Sequence, residues 1–285
     1  MMARTLEEAL SIGKNILKEN NIDNYDLDAW YLMEYCFKLD RMKYLLEPNK
    51  MISNEEYEAY IELIKQRASK IPLQHITGEQ EFMGLSFLVS KDVLIPRQDT
   101  EILVEEVLKV SKGKEILDVC TGSGCIIISL SKLGDIKKGI GLDISEEALK
   151  IANQNKIRLE SDVSFIQSDL FEEVDGKYDI IVSNPPYIES SEILNLKEEV
   201  RLHDPFIALD GKEDGLYFYR RIIEELDNYL KPNGTIFFEI GYNQGKLVSN
   251  LLKLKGFQGI EVIKDLAGLD RVVKGTYVNY AEHFT

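Results

Sequence analysis

The chain has 285 residues, 44% of them hydrophobic, which is enough for one large domain or two ordinary ones that each bury a core. Its formal charge of −15, from 34 Lys and Arg against 49 Asp and Glu, disfavours a broad electrostatic footprint for a polyanion and leaves room only for a local basic groove. The three cysteines (Cys36, Cys120, Cys125) and three histidines (His75, His203, His283) follow no disulfide or metal-ligand spacing. No metal is therefore expected. With no signal-peptide pattern and no apolar run long enough to span a bilayer, a cytoplasmic protein without membrane contact is expected.

From Thr5 to about Ile71 the periodicity is helical. Thr5 with Glu8, and Ser53 with Glu56, fit the Ser/Thr-x-x-Glu capping box that opens a helix. Between them "DLDAWYLMEYCFKL" places Leu27, Trp30, Tyr31, Glu34, Cys36 and Phe37 at mixed helical spacings, mostly apolar on one side, with its aromatics expected in the bundle core. A small helical-bundle domain over residues 1–72 follows, without a strand signal. Residues 1–96 hold 11 Lys and Arg and 16 Asp and Glu, a net of −5, which does not suit a nucleic-acid clamp. Residues 73–96, with Gly78, Gly84 and alternating Phe87 and Val89, read as a hairpin or linker.

Residues 97–285 alternate strand-like and helical runs, the pattern of a parallel sheet covered by helices. The strands are expected in "KEILDVC", "KGIGLDI", "VSFIQSD", "YDIIVSN", "GTIFFEIG", "FQGIEVIKD" and "DRVVKGTYV". The last two have no helix between them, so the sheet should end with an antiparallel strand.

The first strand runs into "DVCTGSGC", with Gly122 and Gly124 at the strand-to-helix turn, where glycine lets a ligand approach the backbone. A dinucleotide fingerprint wants a third glycine, and Ile127 stands there instead. The second strand ends in Asp143, placed to accept from ribose hydroxyls. The third ends in Asp169 beside Leu170 and Phe171, a carboxylate and apolar surface suited to an adenine. Each aspartate alone is more often a helix cap. Together, at the ends of successive strands, they fall where doubly wound sheets bind nucleotides.

"DVCTGSG" and Asp143 resemble the class I S-adenosylmethionine-dependent methyltransferases position by position over roughly residues 97–285. The resemblance implies an α/β, Rossmann-like, mostly parallel seven-stranded sheet with a terminal antiparallel strand, S-adenosyl-L-methionine as methyl donor and S-adenosyl-L-homocysteine as product. The fourth strand then delivers "NPPY", Asn184 to Tyr187. Two prolines remove two donors and fix φ, so the strand must stop there. A Pro-Pro pair by itself is a stiff loop. Beside a methyl donor, the Asn184 side-chain oxygen and the Pro185 carbonyl can accept both N–H bonds of a planar NH₂ group and direct its nitrogen. Tyr187 can cover the flat face. An Asn suits this task, whereas proton abstraction would ask for Asp, Glu or His. Methyltransferases of planar NH₂ groups carry such a D/N-P-P-Y/F motif after the fourth strand.

The helical start, "PLQHITGEQEFMGLSFLVSKDVLIPRQDTEILVE", "VRLHDPFIALDGKEDGLYFYRRI" and "FFEIGYNQG" resemble the bacterial release-factor glutamine methyltransferases, the HemK/PrmC family, over nearly the full length. That resemblance implies transfer to the side-chain amide nitrogen of the glutamine in the Gly-Gly-Gln loop of class 1 peptide-chain release factors. Residues 1–72 would then recognise the substrate. Thr121, Gly122, Ser123, Gly124, Cys125, Asp143, Asp169, Leu170 and Asn184 would hold the cofactor. Asn184, Pro185, Pro186 and Tyr187 would hold the glutamine, with Asn184, Pro185 and Tyr187 catalytic. Gln98, Asp204 and Leu170 depart from residues commoner in the family. The protein is expected to be a monomer that does not bind nucleic acid directly. The alternative is a nucleobase amino-methyltransferase acting on DNA adenine or ribosomal-RNA guanine, which can carry the same motif.

Overall fold

A computed structural model describes residues 4–278; His283 and the rest of the C-terminal segment expected in the catalytic domain lie outside the described residues. The chain divides into two compact units. One runs to Glu79 and takes in Lys197–His203; the other comprises Gln80–Leu196 and the residues from Asp204 onward.

The first unit is built on the helices Leu6–Glu19, Tyr25–Phe37 and Asn54–Ala68. Both capping boxes form: the Thr5 and Ser53 side chains accept from the Glu8 and Glu56 amides, whose carboxylates accept in return. Each such cap contributes about 1 kcal/mol. Of the residues expected on the apolar side of Tyr25–Phe37, Trp30 is buried with Ala29, Leu32 and Met33, and Cys36 and Phe37 pack against the same core, while Leu27 and Tyr31 are exposed. Asp28 is buried on this helix too, held by Arg67 Nε at 2.7 Å. Arg67 also donates to Glu199 at 2.7 Å, binding the segment Lys197–His203 into this unit. Gly13 lets the Tyr60 side chain pass close by, and Tyr60 Oη donates to the Ala29 carbonyl at 3.0 Å. A two-residue strand pair, Arg4–Thr5 with Met51–Ile52, also occurs; two residues are too short to leave a periodic signal.

The second unit is organised by seven strands: β1 (Glu115–Val119), β2 (Lys138–Asp143), β3 (Val163–Gln167), β4 (Tyr178–Ser183), β5 (Leu230–Glu239), β6 (Gln258–Lys264) and β7 (Asp270–Thr276). Their order is β6-β7-β5-β4-β1-β2-β3. The five strands from β5 to β3 are mutually parallel, and β7 is antiparallel to both of its neighbours. The last strand in sequence is thus the antiparallel one, and it lies one place in from the edge. "ILDV" and "IIVS" are buried on both faces because helices cover both sides of the sheet. The chain moves outward from β1 through β2 to β3, then returns to β4 on the other side of β1. The carboxyl ends of β1 and β4 therefore flank the crevice where connections diverge, the place a ligand enters such a sheet. Before the sheet, Glu79–Phe82 and Leu85–Leu88 pair across Met83 and Gly84, both at positive φ (53° and 72°), as a tight two-residue hairpin turn requires.

Candidate active site

The turn after β1 places Cys120, Gly122 and Gly124 at positive φ (65°, 56° and 79°), which folds the chain back sharply into the helix Cys125–Leu133. Thr121 locks it: its amide donates to the Leu142 carbonyl at 2.8 Å, and its hydroxyl to Asp118 Oδ2 at 2.6 Å. Asp118 is fully buried, and burial pushes its carboxyl up to about 7. The two glycines differ in purpose. A methyl on Gly122 would meet nothing within 4 Å, whereas one on Gly124 would lie 2.9 Å from the Phe165 ring of β3.

At the end of β2, Asp143 Oδ2 accepts from the Gly122 amide at 2.8 Å and Oδ1 from the Ser145 amide at 2.9 Å. Burial holds this carboxyl above its ordinary range, opposed by those backbone bonds. Each oxygen retains a second lone pair, the capacity a vicinal diol would use. Asp169, after β3, is paired with Arg221 at 2.9 Å; Leu170 beside it is buried at positive φ (54°), its carbonyl accepting from the Ser168 hydroxyl at 2.8 Å.

Ser183 ends β4 with its hydroxyl donating to the Val119 carbonyl at 2.6 Å, which ties β4 to β1 just before the Asn-Pro-Pro-Tyr turn. Asn184 Nδ2 faces Thr100 Oγ1 at 3.4 Å. Beyond the prolines the backbone is gripped from several sides. Gln244 Nε2 donates to the Tyr187 carbonyl at 2.9 Å, Ile188 pairs with Asp210, and Gly211 and Gly215 lie so close to Tyr187 that neither has room for a side chain. Tyr187 Oη reaches Glu239 Oε1 at 3.4 Å. Glu239, at the end of β5, is buried, and that burial pushes its carboxyl up to about 7.

These strand ends surround a cavity of about 310 Å³. Of the residues singled out in the sequence, Thr121, Gly122, Ser123, Cys125, Asp143, Asp169, Leu170, Asn184 and Pro186 line it. Gly124, Pro185 and Tyr187 are not among the lining residues. Thr100 and Arg221 line it as well, and sequence reasoning missed both. A cation could have been sought for Asp169, but nothing in the order of residues points to Thr100, Gln244 or Glu239. The donor set fits an adenosyl sulfonium ligand: a glycine backbone open to approach, a carboxylate with spare lone pairs and an apolar shelf at Leu170. Among the described residues no group of three or more His, Cys, Asp or Glu is arranged to hold a metal ion, and no helix is long and apolar enough to cross a membrane.

Residues 8–78 match the family described as the PrmC N-terminal domain, and residues 97–201 the methyltransferase small domain. A release factor glutamine methyltransferase from Clostridium acetobutylicum is 42% identical over 94% of this chain and 97% of its own length. The protein of the same name from Clostridium botulinum is 43% identical over 94% and 98%. Among solved structures, a methyltransferase from Pyrococcus furiosus superposes with a TM-score of 0.54 at 18% identity, covering 69% of this chain and 90% of that one, a likeness of fold.

Proposed function

Because the chain belongs to the release factor glutamine methyltransferase family, we propose that it transfers a methyl group from S-adenosylmethionine to the side-chain amide nitrogen of the glutamine in the Gly-Gly-Gln loop of class 1 peptide-chain release factors. The observation that supports this most is the meeting of Asn184 with Asp143 and the Gly122 turn at one cavity, at the switch point of the sheet. A stiff loop has no reason to coincide with a nucleotide-type site.

Asp143 would hold the ribose hydroxyls, the backbone around Gly122 the methionine part, and Leu170 with the Arg221-paired Asp169 the adenine. When bound, the cofactor supplies an electrophilic methyl on a positively charged sulfur. The protein's task is then to orient a poor nucleophile, since an amide nitrogen shares its lone pair with the carbonyl. Asn184 Oδ1 and the Pro185 carbonyl accept the two N–H bonds of the glutamine side chain and so aim the nitrogen. The prolines keep those acceptors from yielding. Tyr187, which is not among the lining residues of the cavity, would serve the substrate side by covering the flat face of the amide. The nitrogen sheds a proton after transfer, so no standing general base is needed. Residues 1–72 recognise the release factor, and the protein works as a cytoplasmic monomer. Methylation of a DNA or RNA base is not favoured, given the full-length kinship and the acidic chain.

The test is transfer from radiolabelled S-adenosylmethionine to a recombinant release factor. Label should enter the wild-type factor and vanish when the tripeptide glutamine is changed to alanine; transfer to DNA or ribosomes instead overturns the reading. Asn184→Ala should lower kcat on the order of a hundredfold through lost positioning, with cofactor Kd changed less than about threefold.

A further inference from the structure

The glycine turn at the cavity has a weak point. Ser123 stands between Gly122 and Gly124, both at positive φ, and a glycine on each side lets the peptide plane between Ser123 and Gly124 rotate at little steric cost. One edge of that plane is tied within the turn, where the Gly124 amide donates to the Thr121 carbonyl at 2.9 Å. The opposite edge, the Ser123 carbonyl, is tied from outside: Asn155 Nδ2 donates to it at 3.0 Å. Asn155 is fully buried on the helix Glu146–Arg158. The same helix meets the turn three residues earlier, where a Cβ on Gly124 would stand 3.3 Å from that of Ala152.

The Asn155 amide has a second partner. Its Oδ1 accepts from the Leu88 amide at 2.6 Å and its Nδ2 donates to the Leu88 carbonyl at 3.0 Å, the two-bond pairing that a neighbouring strand would offer to the last residue of Leu85–Leu88. Val89 and Val93 then pack on Ala148 of the same helix, and Asp92, Val93, Leu94, Pro96 and Arg97 line the cavity. Two walls of the cavity, the glycine turn and this stretch, are thus joined by one side chain. The orientation of the amide is fixed, since one donor and two acceptors of the main chain surround it and only Oδ1 toward the Leu88 N–H satisfies all three.

We propose that Asn155 is a positioning residue for the cofactor: its amide holds Ser123 and Leu88 at one spacing before the ligand arrives, so that both walls are preset for S-adenosylmethionine. This role rests on the cofactor reading above and falls to a residue that does not itself line the cavity. Without the amide, the free protein spreads over conformations of which only a fraction accept the ligand, and the apparent affinity falls by that fraction. Once bound, the cofactor holds the walls itself, so turnover at saturation is kept.

The experiment uses the full chain with S-adenosylhomocysteine as probe. It compares wild type, Asn155→Ala, Asn155→Asp, which keeps the shape and loses the donors, and Leu252→Ala, a control whose buried side chain does not line the cavity. Kd measured by calorimetry should rise about tenfold in both Asn155 variants, with kcat toward a release factor at saturating cofactor within about twofold of wild type. Without ligand, amide hydrogen exchange should quicken both in the turn, residues 121–125, and in the stretch 89–97. Leu252→Ala should melt earlier with Kd unchanged and neither segment quickened. Should the first two variants fail to fold, Asn155→Ser, whose hydroxyl ends one bond short of the amide atoms, carries the same expectation. An unchanged Kd in an Asn155 variant that folds, a rise in Kd matched by Leu252→Ala, or exchange that quickens in one segment alone overturns the positioning role while the cofactor reading stands. Wild-type protein that does not bind S-adenosylhomocysteine overturns both.

Discussion

Gly122 and Gly124 look equivalent in "TGSG", and the structure gives them opposite duties. Both sit at positive φ, so an added side chain costs roughly 1–2 kcal/mol in backbone strain at either place. At Gly124 the new methyl would also press on Phe165 at 2.9 Å and crowd Ile128 and Ala152 on the flanking helices; at Gly122 it would meet open space beside the cavity. Gly124→Ala should therefore lower stability by about 2–3 kcal/mol in a urea titration, whereas Gly122→Ala should stay within about 1–2 kcal/mol and weaken cofactor binding. Equal loss of stability in the two variants would undo the distinction. The turn was legible in the sequence because its glycines fall on a recognisable spacing. Its support was not, since Phe165 reaches Gly124 from two strands away. The same holds around Asn184: Thr100 lies 84 residues earlier and Glu239 lies 52 residues after Tyr187, with no local pattern joining them.

At the level of elements, the Asn-Pro-Pro-Tyr turn is stiff because its neighbours grip it, and the prolines supply only part of that. Gln244 occupies the N-cap position of the helix Gly245–Leu254 and spends its whole side-chain amide on loops. Its Oε1 accepts from the Gly241 amide at 3.0 Å, and its Nε2 donates to the carbonyls of Tyr187 at 2.9 Å and Gly215 at 3.3 Å. Gln244→Leu would leave three backbone groups without that partner, a loss of roughly 3 kcal/mol in stability. If the clamp serves the reaction, kcat should fall further than the unfolding midpoint alone explains, while cofactor Kd is kept. A less stable protein with normal kcat would reduce Gln244 to a structural role. Strands of this unit could be read in advance because each is a short apolar run bounded by turn residues. What could not be read is where a strand goes: β7 forms a local hairpin with β6 but also pairs with β5, Val272 opposite Glu239 and Thr276 opposite Thr235, and so inserts between the two. In the helical unit, Trp30 on Tyr25–Phe37 could be read as core, but not the burial of Asp28 beside it, which its bond to Arg67 permits and an apolar count does not find.

Over the whole molecule, the burial that shapes the site opposes the charges that hold the surface, and the pH dependence of stability should show it. Glu115 is held down at about 2 by its bonds to Lys137 and Lys231, so it contributes stability above its ordinary pKa, lost as pH falls through about 2. Asp118 has the opposite sign. Its folded value of about 7 lies above the unfolded 3.8, so the folded state binds the extra proton between those values, and stability is lost as pH rises through that window. Keeping Asp118 ionised in its buried site above pH 7 costs on the order of 4 kcal/mol relative to the solvated carboxylate. Glu239, also raised to about 7, adds a loss in the same direction, and the net charge of −15 at pH 7 adds self-repulsion. The protein without cofactor should therefore melt at a higher temperature near pH 5 than at pH 8. Asp118→Asn removes one of the two buried ionisations while keeping an acceptor for the Thr121 hydroxyl, so its melting temperature should gain on wild type progressively from pH 5 to pH 8. Parallel melting curves across that range would mean that Asp118 is not the group being paid for, and that the loss at high pH belongs to Glu239 and net charge instead.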